Sequence, residues 1–375
     1  MLVTSNIHAV KKLTTLLVLT LMTTFVFAQC NGRYKTELFS SVAKSTVNYS
    51  DVYTDNAHEM DIYTPDGDTE TNRPLIIFIH GGTFIAGDKA NSDCKDFCET
   101  FAKMGYVTAS VNYRIADATS FFTQESIQYE TVLKAVADVK GAIRYFRYDY
   151  ATANSYNIDT NTIFVGGSSA GAITAIHLAY IDNISDLSSA STTIDLQSLA
   201  NNNGGIDGDV GYSLYSSQVS GVISFAGGIH DINWIDGDDE PLVSIQGDSD
   251  GTVDYDCAQA AGGLIDLTLC GSGEMHPQAN TVNIINDHLL LSGSDHDWFS
   301  SGNSDIRFVD ALEFTAEFLY PLLPCNNITP VNELSAEKKL IKVVDVLGRE
   351  TKLQNNTPLF YIYNDGSVEQ KISIK

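Results

Sequence analysis

A strand, turn and helix signature in the middle of the chain constrains its fold most strongly. Residues 163–165 are an apolar run, residues 167–171 read Gly-Ser-Ser-Ala-Gly, and a helical pattern of small residues follows. A serine on such a sharp turn has second neighbours that pack too closely for a side chain, and Gly167 and Gly171 occupy those positions. The spacing predicts that Ser169 projects from a strand end as a nucleophile. The alternative is an ordinary Gly- and Ser-rich loop.

A serine nucleophile needs a base. His296 lies in the loop 293–299, between the last predicted strand and the last predicted helix, and we assign it as the base. His288 is the alternative, although it leads directly into the apolar run 289–291 and is therefore expected to be packed. In either case the base reaches back to Ser169 over the edge of the sheet.

The base in turn needs a carboxylate that orients it. Residues 247–254, after the predicted strand 242–246, read Gly-Asp-Ser-Asp-Gly-Thr-Val-Asp. Asp250 lies at the turn and is assigned as this acid, with Asp248 second and Asp254 third. The same three aspartates resemble part of a Ca²⁺ loop, but the twelve-residue ligand set and its bidentate Glu are missing. We therefore expect no metal at this site.

The oxyanion of an acyl-transfer reaction needs backbone N–H donors facing the nucleophile. The apolar run 75–79 ends in His80-Gly81-Gly82, where glycines let the backbone approach an acyl oxygen closely. We assign the amides of Gly82, Thr83 and Ala170 as the oxyanion hole. His80 is expected to brace this loop.

Strand and helix patterns alternate along the chain. The antiparallel pattern at 45–64 predicts a hairpin, and continuous apolar runs predict buried parallel strands. The alternation predicts an α/β fold with a mostly parallel central sheet and helices on both faces. The predicted buried strands are 75–79, 106–112, 162–165, 222–225, 242–246 and 282–285, and the predicted helices are 91–103, 126–148, the segment ending near 180, and 305–320.

Residues 182–220 interrupt this alternation. They are rich in Ser, Asn, Gly and Asp and follow the helix that begins after Ser169. In this topology an insertion at that point lies over the active-site face. Two interpretations stay open, a lid or substrate-binding loop and a solvated surface excursion.

Together these motifs resemble carboxylesterases of the α/β-hydrolase superfamily, near the hormone-sensitive-lipase-like and type B carboxylesterase groups. Two departures are Thr83 at the third glycine of the oxyanion loop and Gln246 where relatives often carry His. The resemblance implies a serine carboxylesterase that forms an acyl-enzyme and uses no cofactor. A serine peptidase, an esterase acting on acetyl or feruloyl groups of polysaccharides, a polyester-cleaving esterase and an inert binding protein remain alternatives. The matching segments, between about 45 and 322, are 60–65, 80–84, 111–114, 138–140, 157–159, 167–171 and 247–253.

The two ends of the chain carry export signals. Lys11 and Lys12 precede an apolar run ending near Ala28, which predicts a cleaved secretory signal over 1–28 and a catalytic domain over 29–324. The tail, 325–375, resembles the C-terminal sorting domain of type IX secretion substrates. This resemblance implies a secreted or cell-surface protein with the type IX machinery as a partner. Three strands are expected in the tail, at 339–350, 359–363 and 372–375.

Net charge excludes some classes of binding partner, and the cysteine content suggests disulfides. The chain has 22 basic and 47 acidic residues and a net charge of −25, which argues against nucleic acid or an anionic membrane surface as partner. After residue 28 no apolar run is long enough to insert stably into a membrane. The six cysteines suggest disulfides in an exported protein. A Cys257–Cys270 bridge is the first expectation, and Cys94 with Cys98 is a second possible pair.

Overall fold

The computed structural model describes residues 30, 32–188, 191, 193–325, 340–345, 349, 351, 358–363 and 368–372. The predicted signal, 1–28, lies outside these residues. The strands are β1 (Val42–Asn48), β2 (Glu59–Pro65), β3 (Arg73–Ile79), β4 (Val107–Val111), β5 (Ile158–Ser168), β6 (Val222–Phe225), β7 (Leu242–Gly247), β8 (Cys257–Gln259), β9 (Thr268–Cys270), β10 (Asn286–Leu291), β11 (Leu340–Val344), β12 (Pro358–Tyr363) and β13 (Val368–Ile372). The helices are α1 (Ser92–Met104), α2 (Ala118–Thr123), α3 (Glu125–Thr152), α4 (Ala170–Tyr180), α5 (Leu196–Asn202), α6 (Ala260–Gly263), α7 (Ser272–Val282) and α8 (Ile306–Leu319).

The central sheet has eight strands in the order β1-β2-β4-β3-β5-β6-β7-β10. The β1–β2 hairpin and the β2–β4 pair are antiparallel, and the other pairs are parallel. Strand β3 is buried along its whole length because both faces of the sheet are covered. Its Ile76 and Phe78 pack in one core with residues of α1 and α8, and its Leu75 and Ile77 pack in the other with residues of α3 and α4. The predicted α/β-hydrolase fold is confirmed.

The register of the central strands brings the two glycine-containing turns together. Ile79, at the end of β3, pairs with Gly167, near the end of β5. The loop that begins at His80 therefore lies beside the turn that carries Ser169. Because parallel strands end at a common edge, the loops after β7 and β10 reach the same edge of the sheet.

The last strand of the sheet differs from its prediction. The strand predicted at 282–285 is wrong, because Val282 ends α7 and Asn283 caps that helix in a left-handed conformation (φ 66°). The observed strand, β10, starts at Asn286 and is largely polar and exposed at its beginning. As an edge strand, β10 pairs with β7 on one side only, so it lacks the apolar run of a strand buried on both faces.

The C-terminal strands form a unit of their own, an antiparallel sheet in the order β11-β12-β13. The third strand begins at Val368 instead of the expected residue 372, and residues 339, 346–348, 350 and 373–375 of the predicted strands lie outside the described residues. Within the described part of the chain, no helix combines the length and the apolar character that crossing a membrane requires.

Two disulfides are present. Cys257–Cys270 joins β8 to β9, as expected, and Cys30–Cys325 joins residues separated by 295 positions. Cys94 and Cys98, the second possible pair, are not bridged. Both thiols are free and lie buried in the face of α1 that packs on the sheet.

The long-range disulfide should contribute more to stability than the short one. A bridge restricts the unfolded chain more when it closes a longer loop. We expect replacement of both Cys30 and Cys325 by serine to lower the free energy of unfolding by about 5 kcal/mol, against about 3 kcal/mol for Cys257 with Cys270. Chemical denaturation of the two double variants measures this difference. An equal or smaller loss for the Cys30–Cys325 pair would contradict the loop-length argument.

A buried histidine links the β1–β2 hairpin to α3. His58 has no exposed surface, and its Nδ1 lies 2.7 Å from Asp55 Oδ1 while its Nε2 lies 3.5 Å from Asp138 Oδ1. Arg114 pairs with the same Asp138 carboxylate at 2.7 Å. Burial by itself lowers the pKa of His58, but the Asp138 and Asp55 carboxylates outweigh it and raise this pKa above its usual value.

The His58 cluster should make stability depend on pH. A folded-state pKa above the unfolded value stabilises the fold fully below the unfolded pKa of about 6.5, and this contribution is lost as pH rises through the folded pKa. We therefore expect the wild type to exceed His58→Gln in free energy of unfolding by more at about pH 6 than at about pH 9. Denaturation at both pH values tests this. A difference that is constant, or that grows with pH, would contradict the assignment.

Candidate active site

Ser169 sits on a strained turn between β5 and α4. Its backbone adopts φ 53° and ψ −119°, a conformation that non-glycine residues rarely adopt. A Cβ on Gly167 would lie 2.5 Å from the Ile79 carbonyl oxygen, and a Cβ on Gly171 would overlap the same oxygen. The two glycines are thus required by the close approach of β3, and the turn aims the Ser169 side chain away from the sheet.

Ser169, His296 and Asp250 are joined by hydrogen bonds. His296 Nε2 lies 2.8 Å from Ser169 Oγ, and His296 Nδ1 lies 2.8 Å from Asp250 Oδ2. Because a carboxylate accepts hydrogen bonds, the ring proton belongs on Nδ1, which leaves Nε2 to accept the Ser169 proton. The structure therefore brings together the three side chains that the sequence predicts, although they lie up to 127 positions apart.

The other oxygen of Asp250 is held by the backbone. Asp250 Oδ1 accepts hydrogen bonds from the amides of Thr252 and Val253, each at 2.9 Å. The residue Asp250 is only 4% exposed, so both carboxylate oxygens bond within the protein. This arrangement fixes which oxygen faces His296.

The alternative residues have other partners. Asp248 Oδ1 accepts the Gly293 amide, and Asp254 Oδ1 accepts the Asp256 amide. His288 lies on the edge strand β10, where it stacks on His276. It is exposed, so the expectation that it would be packed is wrong.

The oxyanion loop follows β3. Gly82, Thr83 and Phe84 all have positive φ (122°, 57° and 60°), which is unusual for a β-branched residue such as Thr83. The Gly82 carbonyl accepts the amides of Ile85 and Ala86. Within the described part of the chain, the amides of Gly82, Thr83 and Ala170 have no hydrogen-bond acceptor. These three N–H groups are thus available to a ligand.

His80 supports this loop. Its Nδ1 lies 2.7 Å from the Gly81 carbonyl oxygen, and its ring stacks on Tyr113 with centroids 4.3 Å apart. The Tyr113 hydroxyl donates to the His80 carbonyl at 3.0 Å. Burial lowers the pKa of His80, so the ring is neutral near pH 7.

Two spaces adjoin Ser169 on different sides. A wide polar cleft of about 570 Å³ is lined by the oxyanion loop, the start of α1, and the segment from His296 to Ser300. A narrow apolar recess lies between Phe84, Ala170 and the β8–β9 hairpin. An ester bound at Ser169 therefore has one polar and one apolar environment for its two halves.

Two neighbours of the site lack a clear sequence signal. Asp93, in the first turn of α1, is buried in the wall of the cleft and accepts a short hydrogen bond from the Ser168 hydroxyl. Burial raises the pKa of this carboxyl group. Gln246, at the end of β7, donates to the carbonyl oxygens of Val253 (2.8 Å) and Asp254 (3.3 Å). Its Oε1 accepts the Ser272 amide at 2.7 Å.

Gln246 should act by positioning the loop that carries Asp250. Without its side chain, the loop loses two hydrogen bonds, and we expect Gln246→Ala to lower kcat for an ester substrate by roughly 10–100-fold with little change in KM. Steady-state kinetics measure this split. Gln278→Ala is the control, because it removes a similar bond to the Ile235 carbonyl, away from the site. Equal effects of the two variants would contradict a positioning role.

The sheet order, the turn at Ser169 and the loop after β3 define the class of the protein as an α/β-hydrolase. Comparison with solved structures supports the same fold. A truncated carbohydrate esterase from gut microbiota has a TM-score of 0.54 and 20% identity, covering 76% of this chain and 99% of its own. A thermophilic esterase from the Planctomycetes species Thermogutta terrifontis, with propionate bound, has a TM-score of 0.53 and 21% identity, covering 76% and 96%.

A family match is more specific than these structural similarities. Residues 60–261, more than half of the chain, match the family described as BD-FAE. The protein belongs to this family of α/β-hydrolase-like esterases. The matched range includes Ser169, Asp250 and the oxyanion loop, whereas His296 lies beyond it.

Proposed function

We propose that this protein is an exported serine carboxylesterase. Ser169 attacks the carbonyl carbon of an ester, His296 takes the Ser169 proton, and Asp250 holds the imidazole in the required tautomer. The observation that carries the proposal is the continuous hydrogen-bond chain through these three side chains, with both His296 distances at 2.8 Å.

The remaining steps follow from the same groups. The amides of Gly82, Thr83 and Ala170 stabilise the negative oxygen of the tetrahedral intermediate. His296 then returns its proton to the departing alcohol oxygen, which leaves the acyl group bonded to Ser169 Oγ. Water, deprotonated by His296, attacks the acyl carbon. His296 then returns this proton to Ser169 Oγ as the bond between that oxygen and the acyl carbon breaks, and the carboxylic acid leaves. These steps use no cofactor.

The family supports ester over peptide hydrolysis. A narrower candidate is an ester borne on a polysaccharide, including acetyl and feruloyl groups. One structural neighbour is described as a carbohydrate esterase, and the cleft beside His296 is wide and polar, which suits a hydroxylated alcohol. A peptidase of the same fold is the competing enzyme.

A fluorophosphonate probe tests the proposal directly. We expect mass spectrometry to find the probe on Ser169, and we expect the protein to hydrolyse p-nitrophenyl acetate faster than alanine p-nitroanilide. Labelling of another serine would overturn the assignment of the nucleophile. Faster amide hydrolysis would indicate a peptidase, and an unlabelled, inactive protein would indicate a binding protein.

We also propose export through both ends of the chain. The predicted signal, the resemblance of the tail to a type IX sorting domain, and two disulfides support this route. In a bacterium with type IX secretion, N-terminal sequencing of the mature protein should find cleavage near Ala28. Deletion of residues 327–375 should prevent surface delivery and leave this cleavage intact. A retained N-terminus, or surface delivery without the tail, would contradict the proposed route.

A further inference from the structure

We infer that the polar cleft beside Ser169 selects the alcohol half of an ester by its charge, and that Asp297 is the residue responsible. Neutral and cationic alcohols are accepted, and anionic alcohols are disfavoured. The inference rests on the proposed serine esterase function and adds the class of alcohol that the site takes. Esters of neutral sugars would thus be preferred to esters of uronic acids, which carry a carboxylate.

The alcohol half of the ester lies in the cleft. His296 Nε2, which is 2.8 Å from Ser169 Oγ, gives its proton to the departing alcohol oxygen. His296 lines the cleft but is not among the described residues that line the apolar recess, so the alcohol leaves on the cleft side. The cleft has a volume of about 570 Å³. A cavity that binds benzene has roughly 150 Å³, so the cleft has room for an alcohol built on a six-membered ring.

The charged side chains that line the cleft are both acidic. They are Asp93 and Asp297, and the described residues of the lining include no Lys or Arg. Lys89, the basic residue nearest to the lining in sequence, has another partner, because its Nζ lies 3.4 Å from Asp61 Oδ1. A negative group on the alcohol would therefore face acidic side chains with no cation in the lining to offset them.

Of the two acidic residues, Asp297 is the one available to a substrate. Asp93 is 3% exposed and accepts the Ser168 hydroxyl. Asp297 is exposed and directly follows His296 in the chain. Its carboxylate has neither a hydrogen bond nor an ion pair with any residue that the structure describes. This free carboxylate can accept a hydroxyl group or attract a cation, and it repels an anion.

Neutral polar side chains complete the lining. Asn91, Ser92 and Thr252 contribute side chains that have no hydrogen-bond partner within the described part of the chain. Each of them can both donate a hydrogen bond and accept one. They can therefore bind a hydroxyl group and a carboxylate alike, which leaves discrimination by charge to Asp297.

Asp297→Asn tests the inference, because it removes the charge and keeps the shape of the side chain. The substrates are 4-acetoxybenzamide, 4-acetoxybenzoate and 4-(trimethylammonio)phenyl acetate. They share the acetyl group and the phenyl ring, and their alcohol halves are neutral, anionic and cationic. The neutral amide also matches the carboxylate in shape. The measured quantity is kcat/KM for each ester, relative to the neutral one.

The substitution should have opposite effects on the two charged esters. We expect Asp297→Asn to raise the relative kcat/KM of the anionic ester about 10-fold and to lower that of the cationic ester by a similar factor. A unit charge about 6 Å away at a protein surface has an effect of this size. The neutral ester should change by less than about 3-fold. A change in the shape of the cleft would shift both charged esters in the same direction.

Asp295→Asn is the matched control. It removes the same charge two positions away, outside the described lining, where the Asp295 carboxylate lies 3.9 Å from Arg307 Nη1. It should change either relative rate by less than about 2-fold. Salt provides a second check, because the Debye length falls from about 30 Å at 0.01 M to about 3 Å at 1 M ionic strength. High salt should bring the wild type close to Asp297→Asn.

Three results would overturn the inference and leave the esterase proposal intact. One is that Asp297→Asn leaves both relative rates unchanged. Another is an equal effect of Asp295→Asn, which would assign the selection to the net charge of the chain, −25, instead of to Asp297. The third is hydrolysis of p-nitrophenyl acetate without hydrolysis of 4-acetoxybenzamide, since a neutral alcohol would then be rejected. A wild-type protein that hydrolyses none of these esters would overturn both proposals.

Discussion

Ser169→Ala will lower kcat for p-nitrophenyl acetate by about 10⁴-fold or more, while the protein stays folded. The substitution removes the Ser169 hydroxyl that bonds to His296 Nε2, and with it the nucleophile, so no acyl-enzyme can form. Ser169 is nearly buried, and its backbone amide bonds to the Phe225 carbonyl, an interaction that alanine retains. Circular dichroism and thermal denaturation check the fold, and initial rates measure the loss.

Ser168→Ala is the matched control for this prediction. Ser168 is the adjacent serine on the same turn, but its hydroxyl donates to Asp93 instead of facing His296. Its loss leaves the buried Asp93 without that partner, which should cost about 1–3 kcal/mol of stability and leave most of the activity. Esterase activity retained in Ser169→Ala, or lost in Ser168→Ala with an intact fold, would place the nucleophile elsewhere.

Asp250→Asn should lower kcat by about 10⁴-fold, the loss found when a triad imidazole is held in the wrong tautomer. The amides of Thr252 and Val253 both donate to Asp250 Oδ1, so the carbonyl oxygen of an asparagine must take that position. The asparagine NH₂ group then faces His296 Nδ1 and donates to it. The ring proton moves to Nε2, which can no longer accept the Ser169 proton.

Asp248→Asn provides the comparison, because Asp248 lies on the same loop and is exposed. Its bond to the Gly293 amide can be made by an asparagine oxygen. We expect activity within about 3-fold of the wild type, since ordinary surface substitutions have small effects. A loss of less than 10-fold in Asp250→Asn, or a larger loss in Asp248→Asn, would reassign the acid.

Much of this site could be predicted from the sequence because short-range sterics specify it. The Gly167 and Gly171 spacing around Ser169 has one structural reason, the close approach of Ile79. Glycines after a buried strand likewise indicated the oxyanion loop at Gly82. The loops that follow the predicted strands then restricted the acid and the base to a few residues.

The remaining features depended on contacts between distant segments. The sequence marks Gln246 only as a departure from related sequences, whereas in the structure its side chain ties the Asp250 loop to the start of α7. The Cys30–Cys325 bridge has no local signal, because its two residues come from opposite ends of one unit. Strand β10 was misplaced because an edge strand lacks the apolar run that identifies a buried strand.

The sequence by itself determined the fold class, the strained turn at Ser169 and the short lists from which His296 and Asp250 were chosen. These follow from periodicity and from backbone sterics between residues close in the chain. Only the tertiary structure decided that His296 bonds to Ser169 Oγ and Asp250 to His296 in one hydrogen-bond chain, and that an apolar recess adjoins Ser169. Such contacts depend on how whole strands and helices pack, and close packing between distant segments leaves no local pattern in the sequence.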